Sequence, residues 1–521
     1  MAEYVFGANI LENLTTGMYQ DSRVIYREYI QNACDQIDAA CKLGLLSDKS
    51  EGRIQIDIDS ERRTITIEDN ATGIPREQFR KKLANIADSD KLVGESKGFR
   101  GIGRLCGLAY CREMVFTAKY PGEDTVSVMT CDAQKMRDLI SQNTHGHKCT
   151  ADEVLQQIYH FSSEPWEARE EHWFRVELRD VNRESQDLLD LLEIKNYLSF
   201  AAPAPYRNTF LFRQKIYEYA DSLSRPLDEY RIELNGEQVF KKYGTRFPTS
   251  KGEDEIFDLT FKNFYDPQGK LIAWMWVGLS RFKAIIDKSC AMRGIRLRKE
   301  NIQIGGADAL QKLFREDRGN HYFIGEVFAL SPELIPNSQR DYFNENPTRL
   351  WFETELRDYF NEELHRLYHE GSTINSAFGK IDTLKQKEDA HRQKEQNGDY
   401  VDDEQQAQAA RAVEKARQEA EKARRVLDKK RAVSADSVVG RILTQIEGER
   451  VKEAARRPQA PAMPIPPKEE APSKPGYRTD KLSQYSKKER RLISRIFRII
   501  LSATDAESAE QIISEIEDEL Q

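Results

Sequence analysis

Apolar and polar residues alternate in short segments through the first 180 residues, and this period of two is typical of half-buried β-strands. The predicted strands are 53–58, 63–68, 114–119, 125–130 and 174–179. Helical patterns precede them, and residues 132–170 read as helix-rich, polar surface material. The pattern therefore predicts an α/β sandwich domain over residues 1–180, with residues 132–170 inserted before its last strand.

A second series of helix and strand patterns extends over residues 181–375 and predicts a second α/β domain. A helix is predicted at 184–197. Strands are predicted at 230–234, 256–261, 271–278, 294–305 and 322–330. Arg296, Arg298 and Lys299 are expected on a solvated face of one strand.

Beyond residue 380 aromatic residues nearly vanish, and Lys, Glu, Gln and Ala predict a charged helical region over residues 380–456. Six residues alternate steps of four and three, as in the seam of a coiled coil. They are Ala409, Val413, Ala416, Ala420, Ala423 and Leu427. Such an alanine-rich seam has little to bury, so self-association and a single helix with Glu–Lys pairs remain equal interpretations.

Seven prolines between residues 458 and 475 predict an extended linker over residues 457–476. Residues 477–521 then carry two capping-box patterns, Ser486-x-x-Glu489 and Thr504-x-x-Glu507, each followed by apolar residues at helical spacing. The first helix is basic and the second is acidic, which favours an antiparallel helical hairpin. A pair this small buries little apolar surface, so we expect it to dock or to dimerise.

The composition restricts the class of protein. Of 521 residues, 39% are hydrophobic and 32% are charged, which is typical of a globular part joined to solvated helices. The net charge of −8 argues against a protein that coats nucleic acid. Seven scattered cysteines form no Cys-x-x-Cys pair, so we expect a reducing, cytoplasmic location. The sequence contains no apolar signal segment or membrane span, so no membrane association is expected.

Two clusters near the N-terminus carry candidate chemistry. Glu28 and Asn32 are four residues apart in a helical pattern, so their side chains lie on one face. Asp69 follows a strand pattern and opens an Asp-x-Ala-x-Gly turn that ends at Gly73. Each cluster alone is equally typical of a solvated helix face or an ordinary turn.

A third cluster places Gly98, Gly101 and Gly103 ahead of an apolar segment. Glycines before a helix let backbone N–H groups approach phosphate oxygens. Alone, the cluster also fits a flexible loop. No strand immediately precedes it and the glycine order differs from G-x-G-x-x-G, so a Rossmann fold is disfavoured.

Together and in this order the three clusters resemble the GHKL ATPase superfamily, which includes DNA gyrase, heat-shock protein 90, histidine kinases and MutL. The sequence is most similar to heat-shock protein 90, because 6–14 and 18–22 resemble its opening helix and linker and 83–91 resembles its ATP lid. The resemblance covers roughly 350 residues. It implies an α+β fold, with a Bergerat-type α/β sandwich ATPase domain followed by a transducer-like α/β middle domain.

The resemblance also implies roles in binding ATP and Mg²⁺. Glu28 would polarise the attacking water as general base, and Asn32 would ligate Mg²⁺. Asp69 would accept the adenine amino group, and Gly73 would let the chain pass close to the base. The other implied cofactor-binding residues are Asp35, Lys91, Gly98, Arg100, Gly101, Ile102 and Gly103.

The sequence departs from the family pattern at two places. Ala71 stands where the family usually has the first glycine of the turn, and alanine fits there only if its φ is negative. The region that corresponds to the family's later Gly-Thr reads Glu171-His172-Trp173. The second adenine-side contact is therefore unassigned.

A further catalytic residue is implied in the second domain. Residues 335–343 resemble the middle-domain loop of heat-shock protein 90, and the family's phosphate-contacting arginine falls on Arg340. A guanidinium beside the transferred phosphoryl group would stabilise charge in the transition state. The alternative is a surface arginine at a helix start, paired with Asp341.

Three hypotheses for function follow. The first is an ATP-hydrolysing switch of the heat-shock protein 90 type, a homodimer that closes at its N-terminal domains and remodels or scaffolds a protein client or operon partner. The second is a DNA-associated clamp like MORC, MutL or type IIB topoisomerases; the acidic charge opposes it and the basic 487–498 patch mildly favours it. The third is a nucleotide sensor with little turnover, which Glu28 and Arg340 argue against. Histidine kinase activity is disfavoured because no phospho-acceptor helix precedes the site.

Overall fold

The computed structural model describes residues 6–15, 17, 21–86, 103–144, 149–432, 437–456 and 479–521. These residues form an α+β fold with two compact units. The first unit comprises the described residues of Met1–Ser280 and Ala284–His365, and the second comprises those of Arg281–Lys283 and Arg366–Gln521. The predicted domain limits are finer than this division and stay predictions.

The first unit contains two large sheets and the helices that cover them. The helices are α1 (Asn9–Thr15), α2 (Val24–Leu43), α3 (Arg76–Ala84), α4 (Ala133–Thr144), α5 (Ala151–Ile158), α6 (Leu191–Ala201), α7 (Arg213–Ser222) and α8 (Pro347–Tyr359). The strands are β1 (Arg53–Asp59), β2 (Thr64–Asp69), β3 (Cys111–Lys119), β4 (Thr125–Asp132), β5 (Tyr159–Pro165), β6 (Trp173–Val181), β7 (Arg231–Leu234), β8 (Glu237–Gln238), β9 (Arg246–Thr249), β10 (Gly252–Glu255), β11 (Asp258–Tyr265), β12 (Leu271–Leu279), β13 (Gly294–Lys299), β14 (Ile302–Ile304) and β15 (Ile324–Ala329). Short 3-10 helices are Gly103–Ala109, Arg183–Leu189, Gln311–Leu313 and Asp317–Tyr322.

The first sheet has eight strands in the order β5-β4-β3-β6-β2-β1-β7-β8. Alternate residues of β1 and β2, such as Ile56 and Ile67, are buried, as the alternating pattern predicts. They share one core with the apolar residues of α2, including Tyr29, Ile30 and Ile37. This packing holds α2 along the sheet, and α2 carries the first candidate cluster.

Three sequence predictions about elements of the first unit are wrong. The strand at 230–234 was assigned to the second domain, but β7 pairs in parallel with β1 and extends the first sheet. The helix-rich insertion also contains a strand, because β5 pairs with β4. The helix predicted at 184–197 is interrupted at Asp190, whose side chain accepts the first N–H groups of α6.

The second sheet has five strands in the order β11-β12-β15-β13-β14. Strand β12 is buried along most of its length, and its Trp274 and Trp276 lie in the core. Strands β13 and β14 form a hairpin whose two turn residues, Glu300 and Asn301, have positive φ of 51° and 60°. That conformation matches the twist of a two-residue hairpin.

A buried ionic network crosses the second sheet around Glu326 of β15. Arg298 and Lys241 both pair with the Glu326 carboxylate, and all three residues are fully buried. Asn301 accepts from Lys241 Nζ at 2.6 Å. Three aromatic side chains donate to or contact the same carboxylate: Tyr206, Tyr243 and Trp276. The expectation that Arg298 faces solvent is therefore wrong.

Charge pairing in this network outweighs the effect of burial. Burial alone would raise the pKa of the Glu326 carboxyl, but the adjacent Arg298 and Lys241 lower that pKa to about 2. Glu326 is thus held as a carboxylate inside the protein.

The second unit is helical. Its helices are α9 (His365–Asn397), α10 (Asp403–Arg431), α11 (Val438–Arg456), α12 (Lys487–Ala503) and α13 (Ala506–Glu519). Five of the six predicted seam residues of α10 are buried, and Val413, Ala416 and Ala420 pack with Leu384 of α9. The seam therefore pairs α9 and α10 within one chain, which neither sequence interpretation anticipated. None of the described helices is long and apolar enough to span a membrane.

Helices α12 and α13 form the predicted hairpin around Leu482, Phe497 and Ile513. Ser486 and Glu489 form the predicted capping box. The predicted cap at Thr504 is wrong, because Asp505 accepts from Ser508 N–H and caps α13 instead.

The hairpin docks on the turn between α9 and α10. Arg490 pairs with Asp402, and Arg498 pairs with Asp399. Part of the basic patch is thus neutralised within the unit, which weakens its case as a DNA surface.

Candidate active site

Helix α2 presents the first group of candidate residues. Glu28 is 4% exposed, and Asn32 lies one turn further along the same face and is half-buried. Asp35 is buried as well. A carboxylate and an amide thus lie side by side on a helix that packs on the sheet.

The turn after β2 presents the second group. Asp69 is 4% exposed, and its Oδ1 accepts from Ala71 N–H at 3.1 Å. The φ of Ala71 is not positive, which is the condition for alanine to replace the family's glycine in this turn. Thr72 donates to Gln36 Oε1 of α2 at 2.7 Å, so the turn is tied to the helix that carries Glu28.

Gly73 is required by its surroundings. Its φ is 62°, and a Cβ at this position would lie 1.8 Å from the carbonyl oxygen of Lys119. No side chain fits there, so glycine lets the turn after Asp69 pack closely against the Lys119 backbone.

Gly103 is the described residue of the third cluster. A Cβ at Gly103 would lie 2.4 Å from Glu28 Oε2, so its backbone passes directly over the carboxylate. Tyr29 of α2 donates to the carbonyl oxygen of Arg104 at 3.0 Å and fixes this approach. The other five predicted residues lie outside the described residues: Lys91, Gly98, Arg100, Gly101 and Ile102.

Arg340 reaches the same place from the loop after β15. Its Nε lies 2.6 Å from Glu28 Oε1, and its side chain is 11% exposed. Its backbone is left-handed, with φ of 54°. The Arg340 N–H donates to Asn337, and its carbonyl oxygen accepts from Gly305 N–H at 2.9 Å. The alternative pairing of Arg340 with Asp341 is not observed, since Asp341 accepts from Asn337.

A cavity of about 380 Å³ adjoins the Glu28–Arg340 pair. Its lining includes Arg23, Arg27, Tyr197, Gln303 and Arg340. Burial raises the pKa of Tyr197 to about 12, so its hydroxyl stays protonated. Arg340 lines this cavity and Glu28 does not, so the space lies on the Arg340 side of the ion pair.

His172 was not assigned by sequence reasoning. Its Nδ1 lies 2.6 Å from the carbonyl oxygen of Ala71, inside the Asp69 turn. Trp173 follows it and lies edge-on to Trp166 at 5.5 Å between ring centroids. The sequence offers one indication of this contact, since His172 immediately precedes the strand that pairs with β2.

Gly103 and Arg340 contact Glu28, and the Asp69–Gly73 turn is tied to the same helix at Gln36, eight residues further along the chain. Both glycines lie where a Cβ would collide with the protein, at the Lys119 carbonyl for Gly73 and at the Glu28 carboxylate for Gly103. An amide and carboxylates are oxygen donors of the kind that Mg²⁺ prefers. The residues therefore fit a magnesium nucleotide.

Comparison with known proteins identifies the class. Residues 21–162 match the family described as Histidine kinase-, DNA gyrase B-, and HSP90-like ATPase. The chain thus contains an ATPase domain of the GHKL type, as the three clusters indicated.

The curated relatives are more specific. The chain is 26% identical to Chaperone protein HtpG of Shewanella loihica over 47% of this chain and 34% of the relative. It is 24% identical to HtpG of Cronobacter sakazakii over 49% of this chain and 38% of the relative. It is 37% identical to HtpG of Nitrobacter winogradskyi over 16% of this chain and 14% of the relative. The chain thus spans about a third of the first of these relatives. Its similarity is to HtpG chaperones of the heat-shock protein 90 family.

Proposed function

We propose that this protein binds and hydrolyses ATP with Mg²⁺ and uses the cycle as a conformational switch of the heat-shock protein 90 type. The observation that carries the proposal is the meeting of Gly103, Glu28 and Arg340, which come from separate parts of the chain. A phosphate-cradling glycine, a general base and an arginine are the parts that phosphoryl transfer to water needs.

The proposed roles of the residues are those that the resemblance implies. Asp69 accepts the exocyclic amino group of adenine, and Gly73 admits the ring. Asn32 holds Mg²⁺, with Asp35 on the same helix, and the ion neutralises charge on the phosphates when it is bound. Glu28 orients and deprotonates the attacking water.

Arg340 limits when Glu28 can act. While its guanidinium is 2.6 Å from Glu28, the carboxylate is occupied by an ion pair. Arg340 must turn from Glu28 to the terminal phosphate, where it stabilises developing negative charge. Arg340 also lines a cavity, so its side chain is not enclosed by protein on that side.

The direct test is ATP binding and steady-state hydrolysis by the wild type, Glu28→Ala and Asp69→Asn. Glu28→Ala should bind ATP but lose about 10²- to 10⁴-fold in kcat, because only the base is removed. Asp69→Asn should fail to bind ATP. Glu77→Ala, an exposed glutamate on α3, is the matched control and should behave as the wild type. Wild-type turnover by both site variants would refute the assigned roles.

We further propose that the protein is a homodimer whose N-terminal domains meet on ATP binding, with a protein client or operon partner as its target. The exposed apolar residues of the C-terminal hairpin support self-association: Leu492, Ile496, Ile499 and Ile512. Three of them belong to basic α12 and Ile512 belongs to acidic α13. A two-fold axis would place each basic helix against the acidic helix of a second copy.

Mass determination with and without a non-hydrolysable ATP analogue tests the assembly. A dimer in both states, weakened by Ile496→Glu, is the expected result. Exposed Arg495→Glu is the matched control, since it changes the charge of the same helix and leaves the apolar residues intact. A monomeric wild type in both states would contradict the homodimer.

A further inference from the structure

His172 ties the start of β6 to the turn that carries Asp69. Strand β6 pairs with β2 so that Phe174 lies opposite Asp69, and His172 therefore lies level with the residues just beyond β2. There its Nδ1 is 2.6 Å from the carbonyl oxygen of Ala71. Because a carbonyl oxygen only accepts, Nδ1 carries the proton and donates.

Ala71 is held on both of its backbone groups. Its N–H donates to Asp69 Oδ1 at 3.1 Å, and its carbonyl oxygen accepts from His172. Two residues further, a Cβ on Gly73 would lie 3.2 Å from the carbonyl oxygen of Trp173. The start of β6 thus encloses the turn, and His172 supplies its side-chain hydrogen bond.

Rotation of the Ala71 carbonyl would release this arrangement. The Ala71 carbonyl and N–H belong to successive peptide units joined at the Ala71 Cα, so His172 restrains the N–H through the backbone of Ala71. Without that restraint the N–H would shift relative to Asp69, and the carboxylate would lose the donor that orients one of its oxygens. Directional hydrogen bonds of a carboxylate to a base depend on this orientation. A side chain that does not touch the base can therefore control how well Asp69 receives it.

We propose that His172 is a positioning residue for base recognition: it fixes the Ala71 peptide and thereby aims Asp69 at the adenine amino group. The inference rests on the proposed ATP site and adds a residue to it. It assigns His172 an effect on nucleotide affinity and none on the chemical step.

Three substitutions separate this role from a merely structural one. His172→Ala removes both the ring and the donor. His172→Asn keeps an N–H donor at the place of Nδ1, and His172→Phe keeps the ring without a donor. His160→Ala, an exposed histidine on β5, is the matched control. Thermal unfolding without nucleotide checks that each variant is folded.

The measurements are the Kd for ATP, the Kd for inorganic tripolyphosphate, KM and kcat. We expect His172→Ala and His172→Phe to raise the Kd and KM for ATP about two- to tenfold, the effect of one hydrogen bond, with kcat unchanged. The tripolyphosphate Kd should not change, because that probe has no base. His172→Asn should restore ATP affinity to within about twofold of the wild type.

The proposal is overturned if His172→Ala binds ATP like the wild type, if tripolyphosphate binding falls equally, or if His172→Asn fails to rescue. Asp69→Asn separates the two proposals. If Asp69→Asn loses ATP and His172→Ala does not, the ATP site stands and the role of His172 fails. A wild type that binds no ATP refutes both.

Discussion

Two buried glutamates in the first unit are each paired with an arginine, yet their surroundings differ. Glu326 lies at the centre of a sheet, where Arg298, Lys241 and three aromatic side chains enclose it. Glu28 meets only Arg340 as an ion-pair partner among the described residues, and a cavity adjoins that pair.

The difference separates a structural pair from an exchangeable one. Removing a partner from an enclosed network leaves a buried charge uncompensated, which is costly. Arg340 lines a cavity, so a phosphate or water there can replace Glu28 as its partner once the two residues part. The glutamate–arginine pair at Glu326 therefore stabilises the fold, whereas the pair at Glu28 can exchange its partner for a ligand.

The largest expected effect on stability is that of Glu326→Gln. The substitution leaves Arg298 and Lys241 buried with their shared counter-charge removed, so we expect the free energy of unfolding to fall by about 3–5 kcal/mol. Urea unfolding measures it. Glu28→Gln is the matched control and should cost about 1 kcal/mol, because Arg340 lines a cavity where water can replace the lost counter-charge. Equal losses of unfolding free energy in the two variants would contradict the difference between the two ion pairs.

The next largest effect is the acid dependence that Glu326 confers. Its pKa is about 2 in the folded protein, below the ordinary value of 4.5. Its contribution is therefore complete above about pH 4.5 and is lost as the pH falls through 2; it amounts to about 3 kcal/mol. The stability gap between the wild type and Glu326→Gln should narrow as the pH falls below 4.5. A constant gap would show that Glu326 does not titrate this way.

The smallest expected effect concerns the left-handed backbone of Arg340. Arg340→Ala and Arg340→Gly both remove the guanidinium, so both should lose hydrolysis equally. Glycine tolerates φ of 54°, so Arg340→Gly should be more stable than Arg340→Ala by about 1 kcal/mol.

A helical position provides the control for this pair. At exposed Arg424 of α10 the order should reverse, because glycine is about 1 kcal/mol less favourable than alanine in a helix. The same order at both positions would mean that the backbone of Arg340 carries no strain.

Sequence reasoning succeeded where local pattern decides structure. The alternating residues of β1 and β2 and the capping box at Ser486 are examples, because neighbours in the chain determine them. Of the predicted site, Gly103 and Arg340 contact Glu28, and the roles of Glu28, Asp69, Gly73, Gly103 and Arg340 stay predictions.

Two failures are local, since Asp190 and Asp505 cap helices where other starts were predicted, and most of the others come from pairing over long distances in the chain. Arg298 looks solvated in the sequence because its partner Glu326 is 28 residues away. The sequence of the α10 seam does not indicate that it packs on α9, and the sequence of β7 does not indicate that it pairs with β1. His172 was missed for the same reason, since its contact with Ala71 spans 101 residues.

The Trp166–Trp173 pair gives the protein a built-in optical reporter. Trp173 is the chain neighbour of His172, whereas Trp274 and Trp276 are enclosed in the second sheet and Trp351 belongs to α8. Indole emission responds to nearby polarity and motion. Filling of the adenine pocket should therefore alter the intrinsic fluorescence spectrum, so that occupancy can be followed in real time on unlabelled material.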